Sequence, residues 1–155
     1  SDRYFFVENA KEIKINGKPK IGKVKLPVHP DKKKTRSVSV EDVLIANSDR
    51  NNFKGKEIRL LHLFNIKLPV RGKKSEFTSL ENKSIPKVQW VSTRDWQITK
   101  ILMPGGEYVI GAGESGIKGL KKGELIQFER FGFVKFDRKI KEKNHYVYEF
   151  WFAHK

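Results

Sequence analysis

Short segments of alternating polar and apolar residues, separated by turns rich in Gly and Pro, make up most of this 155-residue chain. Residues 12–15 read Glu-Ile-Lys-Ile and lead into Asn16-Gly17, a dipeptide typical of a two-residue β-hairpin turn. No stretch of a dozen residues has the periodicity of an amphipathic helix, and only residues 48–53 are predicted to form a helical turn. Roughly ten short strands in this arrangement predict an all-β barrel or sandwich.

An internal similarity with an offset of 68 residues suggests two related units. The segment from Gly55 to Leu68 recurs from Gly123 to Phe136, with the glycine, one isoleucine, one lysine and several apolar positions in register. Leucines of the first copy become phenylalanines in the second. Two similar β-barrels would leave such a repeat, because each needs a turn glycine that leads into a strand and its neighbour. A chance match between two hairpins of a β-rich chain is the alternative.

Charge points to a polyanionic partner. The chain has 33 Lys and Arg against 18 Asp and Glu, a net charge of +15, and lysines that meet phosphates release condensed counterions. Solvated surface lysines without a partner are the alternative. The chain has no cysteine and only four scattered histidines, so we expect neither disulfides nor a metal site. No apolar run reaches the ~18 residues that span a membrane, and no signal-peptide pattern is present, so we expect a cytoplasmic location and no membrane partner.

Catalytic motifs have little support in the sequence. Residues 111–116, Gly-Ala-Gly-Glu-Ser-Gly, lack the following helix and the Lys-Ser/Thr pair of a phosphate-binding loop. His29 with Ser37 or Ser39 lacks the surroundings of a nucleophilic serine. These patterns favour a binding protein over an enzyme.

Residues 127–133, Gln-Phe-Glu-Arg-Phe-Gly-Phe, have better binding chemistry. If strand pairing stays regular, Gln127, Glu129 and Phe131 share one face, and Phe128 and Arg130 share the other. Amide and guanidinium donors beside aromatic rings suit the recognition of unstacked RNA bases. A core role for the phenylalanines, with Arg130 paired to a carboxylate, is equally consistent with the residue types.

Five motifs in order together resemble a known family. They are Arg3-Tyr4-Phe5-Phe6-Val7, Leu26-Pro27-Val28-His29-Pro30 with Arg36 downstream, Gly55-Lys56-Glu57-Ile58-Arg59-Leu60, Val88-Gln89-Trp90-Val91 and residues 127–133. In this order they resemble the C-terminal anticodon-binding region of archaeal-type glutamyl-tRNA synthetases, which is shared with glutaminyl-tRNA synthetases. The resemblance extends over nearly the whole chain.

The resemblance implies two antiparallel β-barrels in tandem, of the type found in ribosomal protein L25, with the distal barrel inserted into the proximal one. We expect residues 1–47 and 119–155 to form the proximal barrel and residues 48–118 to form the distal barrel. The family's catalytic domain, with its ATP and Mg chemistry, is expected to lie outside this region, so the region itself is expected to need no cofactor.

The resemblance also implies residue roles in anticodon binding. Gln127 and Arg130 match the pair that contacts the central anticodon base in the glutaminyl enzyme. Arg3 matches the family arginine at the entry to the first barrel and is expected to join them at that base. Arg50-Asn51 falls where the glutaminyl enzyme has a Lys-Arg pair for the first base. Asp31 stands where that enzyme has an asparagine, and Leu61 where it has an arginine. Arg36 is a further candidate for tRNA contact. These departures suggest that the first anticodon base is not read as the glutaminyl enzyme reads it.

The implied function is the anticodon-binding domain of a glutamate--tRNA ligase, monomeric as a domain, with tRNA(Glu) as partner and tRNA(Gln) as a second candidate. Such a chain would bind tRNA without catalysing aminoacylation. Three alternatives stay open at this point: the same domain of a glutaminyl-tRNA synthetase, a free-standing RNA-binding protein of the ribosomal protein L25 type, and a protein-docking domain with solvated lysines.

Overall fold

The computed structural model describes residues 1–29 and 34–155. One short helix, α1 (Asn47–Asn52), and a 3-10 turn at Ser115–Gly119 accompany the strands. The strands are β1 (Arg3–Tyr4), β2 (Phe6–Glu8), β3 (Ala10–Asn16), β4 (Lys23–Pro27), β5 (Thr35–Ser39), β6 (Val43–Ala46), β7 (Glu57–Leu60), β8 (Asn65–Lys67), β9 (Lys74–Ser79), β10 (Lys87–Val88), β11 (Val91–Ser92), β12 (Trp96–Leu102), β13 (Tyr108–Glu114), β14 (Leu125–Phe128), β15 (Gly132–Glu142) and β16 (His145–His154).

Two large sheets organise these strands. The first has the order β1-β14-β15-β16-β12-β13-β2, and the second has the order β10-β7-β8-β9-β3-β6-β11, while β4 and β5 form a separate hairpin. We call the first sheet the outer unit and the second the inserted unit, because the strands of the second all lie between β2 and β12 along the chain. The predicted all-β fold with tandem, nested barrels is therefore confirmed.

The sheets divide the chain at other positions than the predicted barrel boundaries. Sheet membership changes between β2 and β3 and again between β11 and β12, not near residues 47 and 118. The expected boundaries come from the family resemblance, whereas sheet membership follows long-range pairing in this chain. β12, for example, pairs in parallel with β16 from Ile98↔Val147 to Leu102↔Trp151.

The barrels are mixed and not purely antiparallel. Among the described strands, β1 pairs with β14, β3 with β9, β7 with β10, and β12 with β16 in parallel. Each parallel pair joins strands that are distant in sequence. Such pairs need long crossover connections, which alternation within single strands does not reveal.

The 68-residue repeat is a structural repeat. In the β7–β8 hairpin Ile58 pairs with Ile66, and in the β14–β15 hairpin Ile126 pairs with Val134 at the equivalent positions. Both hairpin turns contain a non-glycine residue with left-handed backbone, His62 at φ 61° and Arg130 at φ 64°. Equivalent turn hydrogen bonds close both, from Leu63 N to Leu60 O and from Phe131 N to Phe128 O, each 2.9 Å.

The repeat extends to the strand beside each hairpin. β10 runs parallel to β7 with Lys87 opposite Arg59, and β1 runs parallel to β14 with Arg3 opposite Gln127. Lys87 in the inserted unit therefore corresponds to Arg3 in the outer unit. By the same register, Gln89 corresponds to Phe5.

The two units share a packed boundary. Phe5, Val7 and Ala112 come from the segments of the outer unit but are buried in the hydrophobic core that the inserted unit builds. The core of the outer unit is separate and rich in phenylalanine, with Phe128 and Phe150 fully buried. Contact between the units is thus part of the fold, because burial of these side chains removes apolar surface from water.

Candidate nucleic-acid interface

Arg3 and Gln127 are direct neighbours. They are register partners in the parallel β1–β14 pair, so their side chains project from the same face of the sheet. This face is opposite to the core, where Ile126 and Phe128 lie fully buried. Within the part of the chain that the structure describes, the Gln127 amide has no hydrogen-bond partner, and Arg3 Nε is buried without one. Two planar donor groups therefore stand side by side with unsatisfied hydrogen-bonding capacity.

A cavity of about 440 Å³, here called the Gln127 cavity, adjoins this pair. Gln127 and Arg130 provide polar groups in its lining, and Phe131 and Phe152 provide aromatic rings that contact each other edge to face at 5.9 Å. Bidentate donors beside aromatic side chains are the chemistry that proteins use to hold a splayed RNA base.

Arg130 lies in a turn and not in a strand, which corrects the predicted alternation. β14 ends at Phe128, and the turn hydrogen bond from Phe131 N to Phe128 O places Arg130 at the third turn position with left-handed backbone. Its Nη1 donates to the Lys87 carbonyl of the inserted unit. The guanidinium thus reaches across the boundary between the units.

Arg130 also borders a smaller cavity of about 190 Å³, the Asp49 cavity. Asp49 and Ser48 of α1, with Gln89, line its opposite side. Burial raises the pKa of the Asp49 carboxyl above its ordinary value, and the nearby positive charge of Arg130 opposes this increase. One cation is therefore set against a half-buried carboxyl at the unit boundary.

Arg50 and Asn51 lie on α1 and line a third cavity of about 550 Å³, the Arg50 cavity. Arg50 Nη2 donates to the Gly72 carbonyl at 2.7 Å, and its Nη1 is buried without a partner among the described residues. The other charged lining residues are Lys11, Glu12, Lys54, Arg71 and Lys73. The excess of cations makes this cavity suited to phosphate.

Two of the three cavities share lining residues, and the third lies on the other side of α1. Arg130 and Phe131 border both the Gln127 and the Asp49 cavities, and α1 separates the Asp49 cavity from the Arg50 cavity. The structure therefore links Gln127 and Arg130 through shared cavity walls, while Arg50 and Asn51 line a separate cavity on the same helix as Asp49.

The comparisons with known proteins agree with this geometry. A family model described as "tRNA synthetases class I (E and Q), anti-codon binding domain" matches residues 1–84, and a second model of the same description matches residues 76–137. The chain belongs to this family. The anticodon-binding domain predicted from the motifs is therefore confirmed.

Archaeal proteins named glutamate--tRNA ligase are similar to this anticodon-binding domain. The protein of Methanosarcina mazei is 37% identical over 167 residues, which cover all of this chain and 28% of that protein. The protein of Korarchaeum cryptofilum is 34% identical over 154 residues, covering 90% of this chain and 26% of that protein. The protein of Pyrococcus abyssi is 30% identical, again over the whole chain and 28% of that protein. The chain spans about a quarter of the length of these relatives.

Arg36 does not join the surface of the anticodon-binding domain that holds the other candidates. Its Nε and Nη2 donate to the two Glu114 carboxylate oxygens at 2.6 Å each, and its Nη1 donates to the Pro27 carbonyl. Only 10% of the Arg36 side chain and 2% of the Glu114 side chain are exposed. Burial raises the pKa of Glu114, and the Arg36 guanidinium opposes that increase. We therefore attribute to Arg36 a structural role, which its residue type alone did not reveal.

Asp31, another predicted contact, lies outside the described residues. The segment that leads to it is anchored near the candidate site, because Arg3 N donates to the Val28 carbonyl at 2.5 Å. Its role stays a prediction.

Two residues at the unit boundary escaped the sequence prediction of contacts. Gln89 is buried against the Glu129–Arg130 turn, and Asp49 faces Arg130. Gln89 belongs to the family motif Val88-Gln89-Trp90-Val91, and this was the sequence signal that could have identified it. Asp49 is adjacent to Arg50, but sequence alone could not show that it faces a residue 81 positions away.

Other kinds of site find no support in the described residues. No group of three or more His, Asp or Glu there could hold a metal ion. None of the described helices is long and apolar enough to cross a membrane.

Proposed function

We propose that this domain binds the anticodon loop of tRNA(Glu), with Arg3, Gln127 and Arg130 at the central base. The observation that supports this most directly is the Arg3–Gln127 register pair, whose donors lack partners and which adjoins a cavity that Arg130 and aromatic rings also line. The glutamate and glutamine anticodons share a central U, and uracil offers carbonyl acceptors to such donors. A base that is stacked on a ring and bound by planar donors is held in place and identified at the same time.

The Arg50 cavity would serve a different purpose. Its cations lie on the inserted unit and would position the RNA through phosphates, while the donors of the outer unit would provide specificity. Arg50 and Asn51 would contact the first anticodon base from this cavity. We therefore expect replacement of a lysine in this cavity by alanine to weaken the binding of all tRNAs alike.

The activity proposed for the longer protein is ligation of glutamate to tRNA, as the names of the relatives indicate. We propose that ATP and Mg are used by other parts of such an enzyme, and that this domain needs no cofactor to bind tRNA. Incubated alone with ATP, glutamate and tRNA, the 155-residue chain should form no aminoacyl-tRNA.

The decisive experiment is a binding titration of the chain against unmodified tRNA(Glu) at several salt concentrations. Matched tRNAs would carry a substitution at the central base, or at the third base, where tRNA(Gln) has G in place of C. We expect a central-base change to weaken binding roughly 5- to 150-fold, which corresponds to a well-made bidentate base contact. The Gln127→Ala variant should lose most of this preference.

His62→Ala provides the control, because His62 occupies the turn position of the inserted unit that corresponds to Arg130. It should leave the preference for the central base unchanged. Equal affinity of the unsubstituted chain for every anticodon, together with steep salt dependence, would contradict base reading and leave only phosphate binding.

A further inference from the structure

Gln89 connects the two units through both ends of its side-chain amide. It follows β10 of the inserted unit, is 6% exposed, and its Nε2 donates to the Glu129 carbonyl in the turn of the outer unit. Its Oε1 accepts from the backbone N–H of Phe6 in β2, at 3.3 Å. All described partners of this amide thus belong to the outer unit, although Gln89 itself belongs to the inserted unit.

The Glu129–Arg130 turn needs support from outside. Arg130 has φ 64°, a backbone conformation that residues other than Gly, Asn and Asp seldom adopt, so surrounding contacts must stabilise it. The segment from Lys87 to Gln89 contacts the turn at two points, because Arg130 Nη1 donates to the Lys87 carbonyl beside the Gln89 contact. One short segment of the inserted unit therefore holds both the backbone and the side chain of this turn.

In both turns the carbonyl of the second residue accepts from a side chain of the inserted unit, Leu61 O from Trp90 Nε1 at 3.0 Å and Glu129 O from Gln89 Nε2. The first hydrogen bond stays within the inserted unit, whereas the second crosses the boundary between the units. In the inserted unit the turn residue is His62, and its ring lies parallel to the Phe5 ring with centroids 6.4 Å apart. Phe5 is the residue that corresponds to Gln89. Each turn is therefore contacted by the equivalent residue of the other unit. This residue is the aromatic Phe5 at the His62 turn and the hydrogen-bonding Gln89 at the Arg130 turn.

We propose that Gln89 is a positioning residue that fixes the Glu129–Arg130 turn, so that reading of the anticodon base by the outer unit depends on the inserted unit. This inference rests on the base-reading role proposed for Arg130. Gln89 itself does not need to touch RNA, because its amide is committed to Phe6 and Glu129.

The test uses Gln89→Met, which keeps the length of the side chain and removes both hydrogen bonds. The readout is the ratio of affinities for tRNA(Glu) and its central-base variant, measured well below the unfolding temperature. We expect the ratio to fall about tenfold, the upper range for loss of one hydrogen bond, because of the two bonds only the one to the Glu129 carbonyl holds the turn. Gln89→Glu, which keeps an acceptor for Phe6 N but removes the donor to Glu129 O, should lower the ratio as well.

Val88→Ala is the matched control. Val88 is the fully buried neighbour of Gln89, and its truncation should lower the unfolding temperature without changing the ratio. If Val88→Ala and Gln89→Met lower the ratio equally at equal loss of stability, Gln89 acts only through the fold and the proposal is wrong.

A double-mutant cycle tests whether Gln89 acts through Arg130. In an Arg130→Ala background, Gln89→Met should cause no further loss of the ratio. The same loss in both backgrounds would overturn the proposal.

A measurement without RNA separates this proposal from the proposed function. Amide hydrogen exchange of Phe131 N–H, which closes the turn, should accelerate in Gln89→Met, while exchange of Leu63 N–H in the corresponding turn should not change. Should the unsubstituted chain show no preference for the central base, base reading fails, and faster Phe131 exchange would still support the positioning of the turn. Unchanged Phe131 exchange would overturn the role of Gln89 in either case.

Discussion

The β7–β8 and β14–β15 hairpins have the same backbone but different surroundings. At the position before the last residue of the first strand, the inserted unit has Arg59, whose Nη1 donates to Asn65 Oδ1 at 3.1 Å and to the carbonyls of Leu80 and Glu81 at 3.3 Å. The outer unit has Gln127 there, beside an open cavity. One copy uses its planar donor group to bind its own loop, and the other leaves it available. The comparison indicates that the loop packed against the hairpin, which contains Leu80 and Glu81 in the inserted unit, decides whether this position can bind a ligand.

The interiors of the two units differ as well. Leu60 of the inserted unit is a fully buried aliphatic side chain in a core that also contains Phe5, Phe64 and Trp90. The corresponding Phe128 has its ring 5.1 Å from those of Phe6 and Phe150. Offset and edge-to-face ring pairs stabilise beyond the burial of their area. The same hairpin is therefore supported by different packing in each copy.

The largest effect is expected from loss of the buried Arg36–Glu114 ion pair, which holds the backbone of Phe5 between β1 and β2. Glu114 Oε1 accepts from Phe5 N at 2.5 Å, and Arg36 neutralises that carboxylate. Arg36→Ala would leave a buried carboxylate without its partner, which costs about 3–5 kcal/mol. Denaturant unfolding would measure this loss.

The double variant Arg36→Met with Glu114→Gln is the control for this prediction. It removes both charges, so much of the stability should return. A variant Arg36→Ala with normal stability and weakened tRNA binding would instead restore Arg36 to the RNA interface.

A smaller effect is expected from exchanging the packing of the two copies. Leu60→Phe introduces the residue of the outer unit at a fully buried position of the inserted core, where overpacking should cost about 1–3 kcal/mol. Phe128→Leu should also destabilise, because it removes two ring contacts. Thermal unfolding of both variants would measure this. If Leu60→Phe is neutral, the two cores are interchangeable and the comparison of their packing fails.

The turns themselves separate stability from binding. Arg130→Gly relieves left-handed backbone strain but loses the hydrogen bond to the Lys87 carbonyl, so stability should stay within about 1 kcal/mol of the original. Affinity for tRNA(Glu) should nevertheless fall about tenfold or more, because the base contact is lost. His62→Gly should leave affinity unchanged, and equal losses for both variants would show that the two turns are functionally alike. Equilibrium unfolding and tRNA titration would be measured on the same preparations.

Much of the fold was predictable because the strands are locally encoded. The segments that begin at Gly55 and Gly123 form hairpins with equivalent strand pairing, as the sequence repeat predicts. Sheet membership was not predictable, since the pairing of β12 with β16 joins residues about 50 positions apart. The boundaries expected from the resemblance, near residues 47 and 118, differ from the positions at which sheet membership changes.

The candidate site was predictable in its residue types and not in its geometry. Gln127 and Arg130 were chosen by motif, yet regular alternation placed Arg130 on a strand face, whereas it lies in a turn that contacts the inserted unit. Arg36 is predicted to contact tRNA from its place in a family motif, yet it forms an internal ion pair with Glu114. Sequence cannot distinguish a cation that meets a buried carboxylate from one that meets a phosphate, because the partner of Arg36 lies 78 positions away.

The smallest effect is expected at Asp49, which faces the turn of the outer unit. Because burial raises the pKa of Asp49, the folded chain binds its proton more tightly than the unfolded chain does. The resulting stability is therefore present at low pH and is lost as pH rises above about 3.9, the ordinary aspartate value, through the higher folded pKa. Asp49→Asn should flatten this part of the curve of unfolding free energy against pH. It should also strengthen tRNA binding about two- to fivefold near 0.1 M salt, since a carboxylate no longer offsets Arg130. Asp95→Asn makes the same change of charge beside Lys118, away from the cavities. An equal gain in affinity for both variants would mean that only net charge matters, whereas a gain confined to Asp49→Asn would identify the carboxyl beside Arg130 as a local brake on RNA binding by the outer unit.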